Sequence, residues 1–274
     1  MSSSPFGVES LETRRLLSAT IPTLHIPFTD LTVAIPNLPG GSAGQVTHQA
    51  PVNGDFSANS FTGWQTAGND TVQLSDFHSI PDGKADQAAI SNGTQPSSGT
   101  LPTTAANLES FLGLNAGDLS AKGSTAVNGS AIKQTITAKA GDLVTFKADM
   151  LTNEATLTGR DYALVSVTYN GKTQYFKITG VLKATNPLDS SGLSSETGYH
   201  SYAILLPKSG QYTIGFGVVN VGDATVASNL LVDNVQLKTR FADLFDGFGG
   251  RDQGRGNDQD FGHDFDGGKN PLFS

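Results

Sequence analysis

The stretch from Asp161 to Ile178 constrains this chain most. In it, Tyr-Ala-Leu-Val-Ser-Val-Thr-Tyr is joined to Lys-Thr-Gln-Tyr-Phe-Lys-Ile by Asn170-Gly171. Two residues that tolerate positive φ, set between alternating runs, specify a hairpin closed by a type I′ turn. Counting outward puts Tyr169 opposite Lys172, Val165 opposite Phe176 and Ala163 opposite Ile178, with the apolar members on one side. The other side carries Leu164, Ser166 and Thr168 with Thr173, Tyr175 and Lys177, and reads as solvent-facing.

The same period of two recurs elsewhere. Ile132 and Ile136 share one parity, as do Val144, Phe146, Ala148 and Met150, and again Tyr212, Ile214, Phe216 and Val218. About ten such runs, broken by Gly, Asn, Asp and Ser and never alternating with helical patterns, predict an all-β fold. The economical solution is an antiparallel two-sheet β-sandwich of jelly-roll type. One helical insertion is expected near Asn107 to Leu114, where Leu108, Phe111 and Leu112 have helical spacing, acting as a lid or end plug. Gly215 and Gly217 leave bare backbone on the parity opposite Phe216, open to a flat ligand or, more simply, to a crossing chain segment.

The ends read differently. Residues 1–50 carry Pro5, Pro22, Pro27, Pro36 and Pro39 and read as a leader and Pro-rich linker. Residues 51–238 form the folded domain. Residues 239–274 are rich in Gly and Asp, with seven Asp against three Arg and Lys from residue 243 on, and are expected to be disordered. Phe241, Phe245 and Phe248 at i, i+4 and i+7 allow one short amphipathic helix there.

Charge and composition exclude several functions. A formal charge of −8 over 274 residues repels phosphate, so a nucleic-acid partner is not expected. With no Cys there is no disulfide, thiolate zinc site, iron–sulfur cluster or cysteine nucleophile. No apolar run is long enough for a transmembrane helix.

Catalytic signals are sparse. The sequence has no Gly-Xaa-Ser-Xaa-Gly elbow, phosphate loop or dinucleotide fingerprint. His78 and His200 lack metal-ligand spacing and read as satisfied surface residues. Glu109, Glu154 and Glu196 are the Glu of the folded part; any of them paired with an Asp could flank a glycosidic bond, but spacing alone brings no two together. The expectation is a protein that is not an enzyme.

Two features bear on binding. Asp233, in Leu230-Leu231-Val232-Asp233-Asn234-Val235-Gln236-Leu237, shares parity with Leu231, Val235 and Leu237, so a carboxylate would point to the apolar side. Such a charge needs backbone donors or a cation. Either calcium is held by Asp233 with Asp55 and backbone carbonyls, or Asp233 sits at a bulge and caps a turn. Trp64, the only Trp, and Tyr175 on the wet face are the candidate sugar-stacking aromatics, with a core plug as the other reading of Trp64.

Several segments carry resemblances. Leu11-Glu12-Thr13-Arg14-Arg15-Leu16-Leu17 resembles the Leu-Glu-Pro-Arg-Xaa-Leu-Leu segment (LEPR-XLL) of exported planctomycete-type bacterial proteins, with Thr13 in place of Pro, and implies export. Asn53-Gly54-Asp55-Phe56, Gly63-Trp64, Leu151-Thr152-Asn153-Glu154, Glu196-Thr197-Gly198-Tyr199 and Val232-Asp233-Asn234-Val235 resemble, as an ordered series, uncharacterised exported bacterial cell-surface modules. More loosely, the opening, the Gly-Trp and the final Val-Asp-Asn-Val are similar to jelly-roll carbohydrate-binding modules of the galactose-binding-like type. That similarity implies a structural calcium between Asp55 and Asp233. The sequence thus predicts a non-catalytic extracellular or cell-surface structural or adhesive module. A calcium-stabilised carbohydrate-binding module is the alternative and an exported polysaccharide hydrolase or lyase the distant one. The expected partner is a glycan or an extracellular matrix component.

Overall fold

The computed structural model describes residues 32–34 as backbone, and residues 48–74, 78, 86–93, 100–120, 124–154, 160–188, 192–222 and 226–239 in full. Most of the leader, including its export box, and the Gly/Asp tail with its predicted helix lie outside these residues. The elements run β1 (Thr32–Ala34), β2 (Gln65–Ala67), β3 (Asn69–Leu74), β4 (Asp86–Ser91), β5 (Thr103–Thr104), α1 (Ala105–Leu112), β6 (Ala126–Ala138), β7 (Leu143–Thr152), β8 (Tyr162–Tyr169) and β9 (Lys172–Gly180). A 3-10 turn, Val181–Lys183, leads to β10 (Asn186–Pro187), β11 (Ser195–Glu196), β12 (His200–Leu205), β13 (Gly210–Val221) and β14 (Ser228–Lys238).

These strands make two sheets. Sheet A has the order β1-β12-β7-β14-β4-β3, with β11 also on β7 and β10 on β11; sheet B has the order β2-β6-β13-β8-β9, with β5 on β6. Pairing is antiparallel apart from the short β1–β12 contact, which is parallel. From β12 onward successive strands change sheets, β12 in A, β13 in B and β14 in A, as do β6 in B, β7 in A and β8 in B. This wrapping is the jelly-roll form of sandwich.

The predicted hairpin is present, with Asn170 at φ 48° and Gly171 at φ 71° as a type I′ turn requires. Tyr169 faces Lys172 and Val165 faces Phe176, but a bulge between Ala163 and Leu164 shifts the register so that Ala163 meets Thr179 rather than Ile178. The inner parity of each long strand fills one core: Ile132 and Ile136, Val144, Phe146, Ala148 and Met150, and Tyr212, Ile214, Phe216 and Val218 all belong to it. Aromatic rings tie the layers together. Phe146 of sheet A meets Phe216 of sheet B edge-on at 4.8 Å and stacks on Tyr202 at 5.0 Å.

The outer face of sheet B departs from the sequence reading. Far from being wet, it is covered by α1 and the segment after it: Leu108, Leu112 and Leu119 pack on Ala131, Tyr162, Leu164 and Val219. α1 begins where Thr104 Oγ1 accepts from Asn107 N and ends at Gly113 in the left-handed region. The two strand glycines exist for this contact. A Cβ on Gly215 would lie 2.8 Å from Leu112 Cδ2 and 2.5 Å from Ser166 Oγ, so the crossing-segment reading is correct.

Asp70 shares the parity of Val72, which packs on the core, so its carboxyl is turned toward the margin between the layers. Its Oδ2 accepts from Ala67 N at 3.1 Å. Burial raises its pKa from 3.8 to about 8, against a smaller lowering by that hydrogen bond.

Two tests follow from this packing. Gly215→Ala should lift α1 and lower unfolding free energy by about 1–3 kcal/mol in urea titration; a neutral result would mean that Leu112 does not press on β13. Because the folded state holds the Asp70 proton more tightly than the unfolded chain, the stability tied to it is full below pH 3.8 and is lost as pH rises through about 8. Asp70→Asn should therefore flatten the decline in stability across that window, and parallel wild-type and variant curves would contradict the burial of this carboxyl.

Candidate functional site

The residues singled out from sequence fall in different places. Trp64 is in the core, packed between Phe56 at 5.5 Å and Phe216 at 6.0 Å, with its Nε1 donating to Asn53 O. It is a plug, with its ring face turned inward. Tyr175 is not the exposed platform the sequence suggested: it is half-buried against the cluster beneath α1, and its hydroxyl donates to Asp118 O. The error has one cause, the covering of that face by α1.

Asp233 lies where a bulge between Asp233 and Gln236, with Asn234 at φ 56°, reverses the alternation of β14. Leu230 and Val232 before the bulge and Val235 after it face the core, while Asp233 falls on the outer face of sheet A, opposite Lys147. It is fully buried there, and its Oδ1 accepts from Asn234 N at 2.6 Å. The parity argument thus put Asp233 on the wrong face, and the bulge reading explains its backbone partner. Asp55 Oδ1 accepts from Ser57 N and Oγ. The segment carrying Asp55 is fastened to the last strand through main chain: Val235 N donates to Gly54 O at 2.8 Å, and a Cβ on Gly54 would lie 2.0 Å from Val235 O. Carboxylate and carbonyl oxygens are the donors that suit a hard cation such as calcium.

Of the three Glu, Glu109 is structural: its two oxygens accept from Gly117 N and Leu119 N, both at 3.0 Å, fixing the segment after α1. Glu196 is different. It stands on β11 beside Asp149 of β7 and His78, and one ligand atom from each lies within 4.8 Å of the others. His78 Nε2 is 2.8 Å from Glu196 Oε2 and 3.2 Å from Asp149 Oδ2. The ring N–H makes a hydrogen bond with Asp149, whereas the Glu196 oxygen is at ion-pair distance but off the hydrogen-bond axis, and has no hydrogen bond among the described residues. Asp149 is fully buried and His78 nearly so. Asp149 Oδ1 accepts from Thr197 Oγ1 at 2.9 Å, and that oxygen itself accepts from Met150 N. Tyr199 stacks on the imidazole, and Gln87 Nε2 donates to His78 O.

The hydrogen bond with Asp149 pushes the His78 pKa up, outweighing desolvation, and Glu196 adds to the rise. Burial pushes Glu196 up, and Asp149 beside it adds to this, against the lowering effect of His78. Sequence reasoning missed this cluster because its members are 71 and 47 positions apart in the chain. A usable signal was present: Asp149 is a lone carboxylate in the apolar run Ala148-Asp149-Met150-Leu151, on the parity opposite the core residues Ala148 and Met150.

A second feature is a cleft of about 410 Å³ at the edge of sheet B, where the ends of β8 and β9 meet the 3-10 turn. Arg160, Lys177 and Lys183 line it with Tyr162 and the exposed Leu182. Lys177 Nζ lies 3.6 Å from the centre of the Tyr162 ring, and desolvation holds its pKa below the ordinary lysine value. Arg160 donates to Ser124 Oγ at 2.6 Å. Asp161 also lines the cleft, but its carboxylate is turned inward, accepting from Val221 N, Ser228 Oγ and Asn92 Nδ2.

No protein-family model matches this chain. No curated protein matches it. Among solved structures, TmCBM61 in complex with β-1,4-galactotriose is 12% identical over 68% of this chain and 94% of its own, at a TM-score of 0.36. The K1 cleaved adhesin domain of Lys-gingipain from Porphyromonas gingivalis W83 is 10% identical over 71% of this chain and 99% of its own, at 0.41. Caldicellulosiruptor saccharolyticus CBM27-1 in complex with mannohexaose is 12% identical over 71% and 98%, at 0.35. Similarity at this level is one of broad sandwich architecture and carries nothing about ligand.

Proposed function

We propose that this chain is a non-catalytic, extracellular or cell-surface β-sandwich module that adheres to an anionic glycan. The convergence of Arg160, Lys177 and Lys183 on one open cleft carries this reading, in a chain whose formal charge is −8. A local cluster of cations on a chain of net negative charge favours polyanions at that place over the rest of the molecule. Uronate carboxylates or sugar sulfates match a guanidinium and two ammonium groups, and Leu182 with the lysine stems offers apolar contact to sugar C–H faces. Export is supported by the resemblance of the Leu11–Leu17 box, and no helix among the described residues is long and apolar enough to cross a membrane. The burial of Asp149, with its carboxyl engaged by Thr197 and His78, supports a non-catalytic role for the Asp149–Glu196 pair.

The reading is tested by titrating polygalacturonate, alginate and a sulfated glycosaminoglycan beside neutral galactan, mannan and xylan. The anionic polymers should bind with an affinity that falls as salt rises, and the Arg160→Ala/Lys183→Ala double variant should lose about tenfold or more, the worth of one charged hydrogen bond. Equal binding of neutral polymers, or an unaltered variant, would overturn it; the absence of any binding would leave a purely structural module.

The same reading includes a structural calcium held by Asp55 and Asp233. Chelation should lower the melting temperature, the return of calcium alone should restore it, and Asp233→Asn should abolish the response. Superimposable melting curves with and without chelator would remove the ion from the account.

A further inference from the structure

We infer that His78, Asp149 and Glu196 form a binding site for one divalent first-row transition-metal ion, with zinc the ion that suits its ligands best. The site shares no residue with the cleft or with the Asp55 and Asp233 carboxylates, and it stands or falls without them.

Donation from the imidazole alone does not account for the arrangement. His78 Nε2 points to two carboxylate oxygens at 2.8 and 3.2 Å, yet one ring nitrogen carries one proton and donates along one axis. Asp149 takes that bond, and Glu196 Oε2, a buried atom, has no hydrogen bond among the described residues. Two carboxylates and one imidazole also leave negative charge in a water-poor place. Among the described residues the ion pairs of Asp149 and Glu196 are with His78 alone, with no Lys or Arg. A dication at the point where the nitrogen lone pair and the two oxygens converge satisfies all three groups at once.

The ligand types select the ion. Calcium and magnesium take oxygen ligands, whereas an imidazole nitrogen with carboxylates suits zinc and its neighbours. The two carboxylate oxygens lie 2.8 and 3.2 Å from the ring nitrogen, distances open to two ligands of one ion whose bonds are about 2.0–2.2 Å long. The residues behind the ligands are also in place. Thr197 holds the second oxygen of Asp149 and is itself held by Met150 N, while Tyr199 stacks on the His78 ring. Such outer partners are what orient metal ligands. An ion here would pin the His78 segment and the short β11 strand to β7, three parts of the chain that no disulfide can join in a protein without cysteine.

The test uses the full chain, stripped with chelator and exchanged into metal-free buffer, with Zn²⁺ added alone in calorimetry and Co²⁺ as a spectroscopic substitute. Wild type should bind one equivalent of Zn²⁺, melt at a temperature that rises with the logarithm of free zinc, and give cobalt d–d bands. Glu196→Gln, which preserves size, should weaken zinc at least tenfold, and His78→Asn should abolish the stoichiometric event. His48→Gln should change nothing, since His48 meets only one carboxylate, Asp142, at 2.9 Å. Failure to take up one equivalent of zinc would overturn the proposal, as would retention of wild-type affinity in both site variants, which would put the ion on other histidines. If circular dichroism shows His78→Asn misfolded, Glu196→Gln decides.

Discussion

The structure depends on the meeting of two inner faces, each supplied by every second residue of a long strand. Phe146 and Tyr202 from sheet A and Phe216 from sheet B form its centre, with Trp64 and Phe56 extending the ring contacts toward the first loop. Strands of 10 to 13 residues, such as β6, β7 and β13, are long enough to run through this core and beyond it. Once the inner parity is used up in this way, the outer parity of the same strands must be either wetted or covered. Both sheets cover part of theirs, and what covers them decides where polar chemistry survives. On sheet B the cover is apolar, with α1 pressing Leu108 and Leu112 into the groove left by Gly129, Gly215 and Gly217. On sheet A it is mixed: Leu188, Leu193 and Tyr199 pack with Ala89, Leu151 and Leu231, while His78, Glu196 and Thr197 close over Asp149.

This asymmetry explains which parts of the structure were legible in the sequence. Alternation is a local signal, so the core parities of β6, β7, β8 and β13 and the turn at Asn170-Gly171 could all be read directly. α1 was visible as the one stretch of helical spacing, and the glycines of β13 marked the place of a close crossing. Alternation cannot report a bulge, because a single extra residue reverses every later side chain. Asp233 was misplaced for that reason, and the Ala163 pairing slipped by one for the same reason. Nor can alternation say what lies on an outer face. Tyr175 was assigned to solvent by parity, and it is covered by a segment far away in sequence, as is Asp149, which alternation did not single out.

The candidate sites inherit that limitation. Each cleft or cluster is assembled from strand ends and loops that meet only because the sandwich brings them together. His78, Asp149 and Glu196 come from a loop, a central strand and a two-residue strand. The loss of chain entropy in closing such long loops is incurred once, by the fold; the polar contacts are then made between groups already held close. This is why a cluster with no sequence signature can still be preorganised. The reverse holds for Trp64, which lies in a recognisable motif but serves the core.

The cationic character of the cleft follows from the same division of labour. Asp161 is the lining residue that could cancel its charge, yet that carboxylate is committed to Asn92, Val221 and Ser228, joining the β4, β13 and β14 ends beneath the cleft floor. A carboxylate that accepts several inward hydrogen bonds is held oriented away from the opening. Its charge stabilises the rim of the sandwich while the cationic ends of Arg160, Lys177 and Lys183 define the face presented to solvent. Were Asp161 turned outward, one of those cations would pair with it and the three strand ends would lose a shared acceptor. One side chain thus ties three strand ends together beneath the cleft while its carboxylate faces away from the opening.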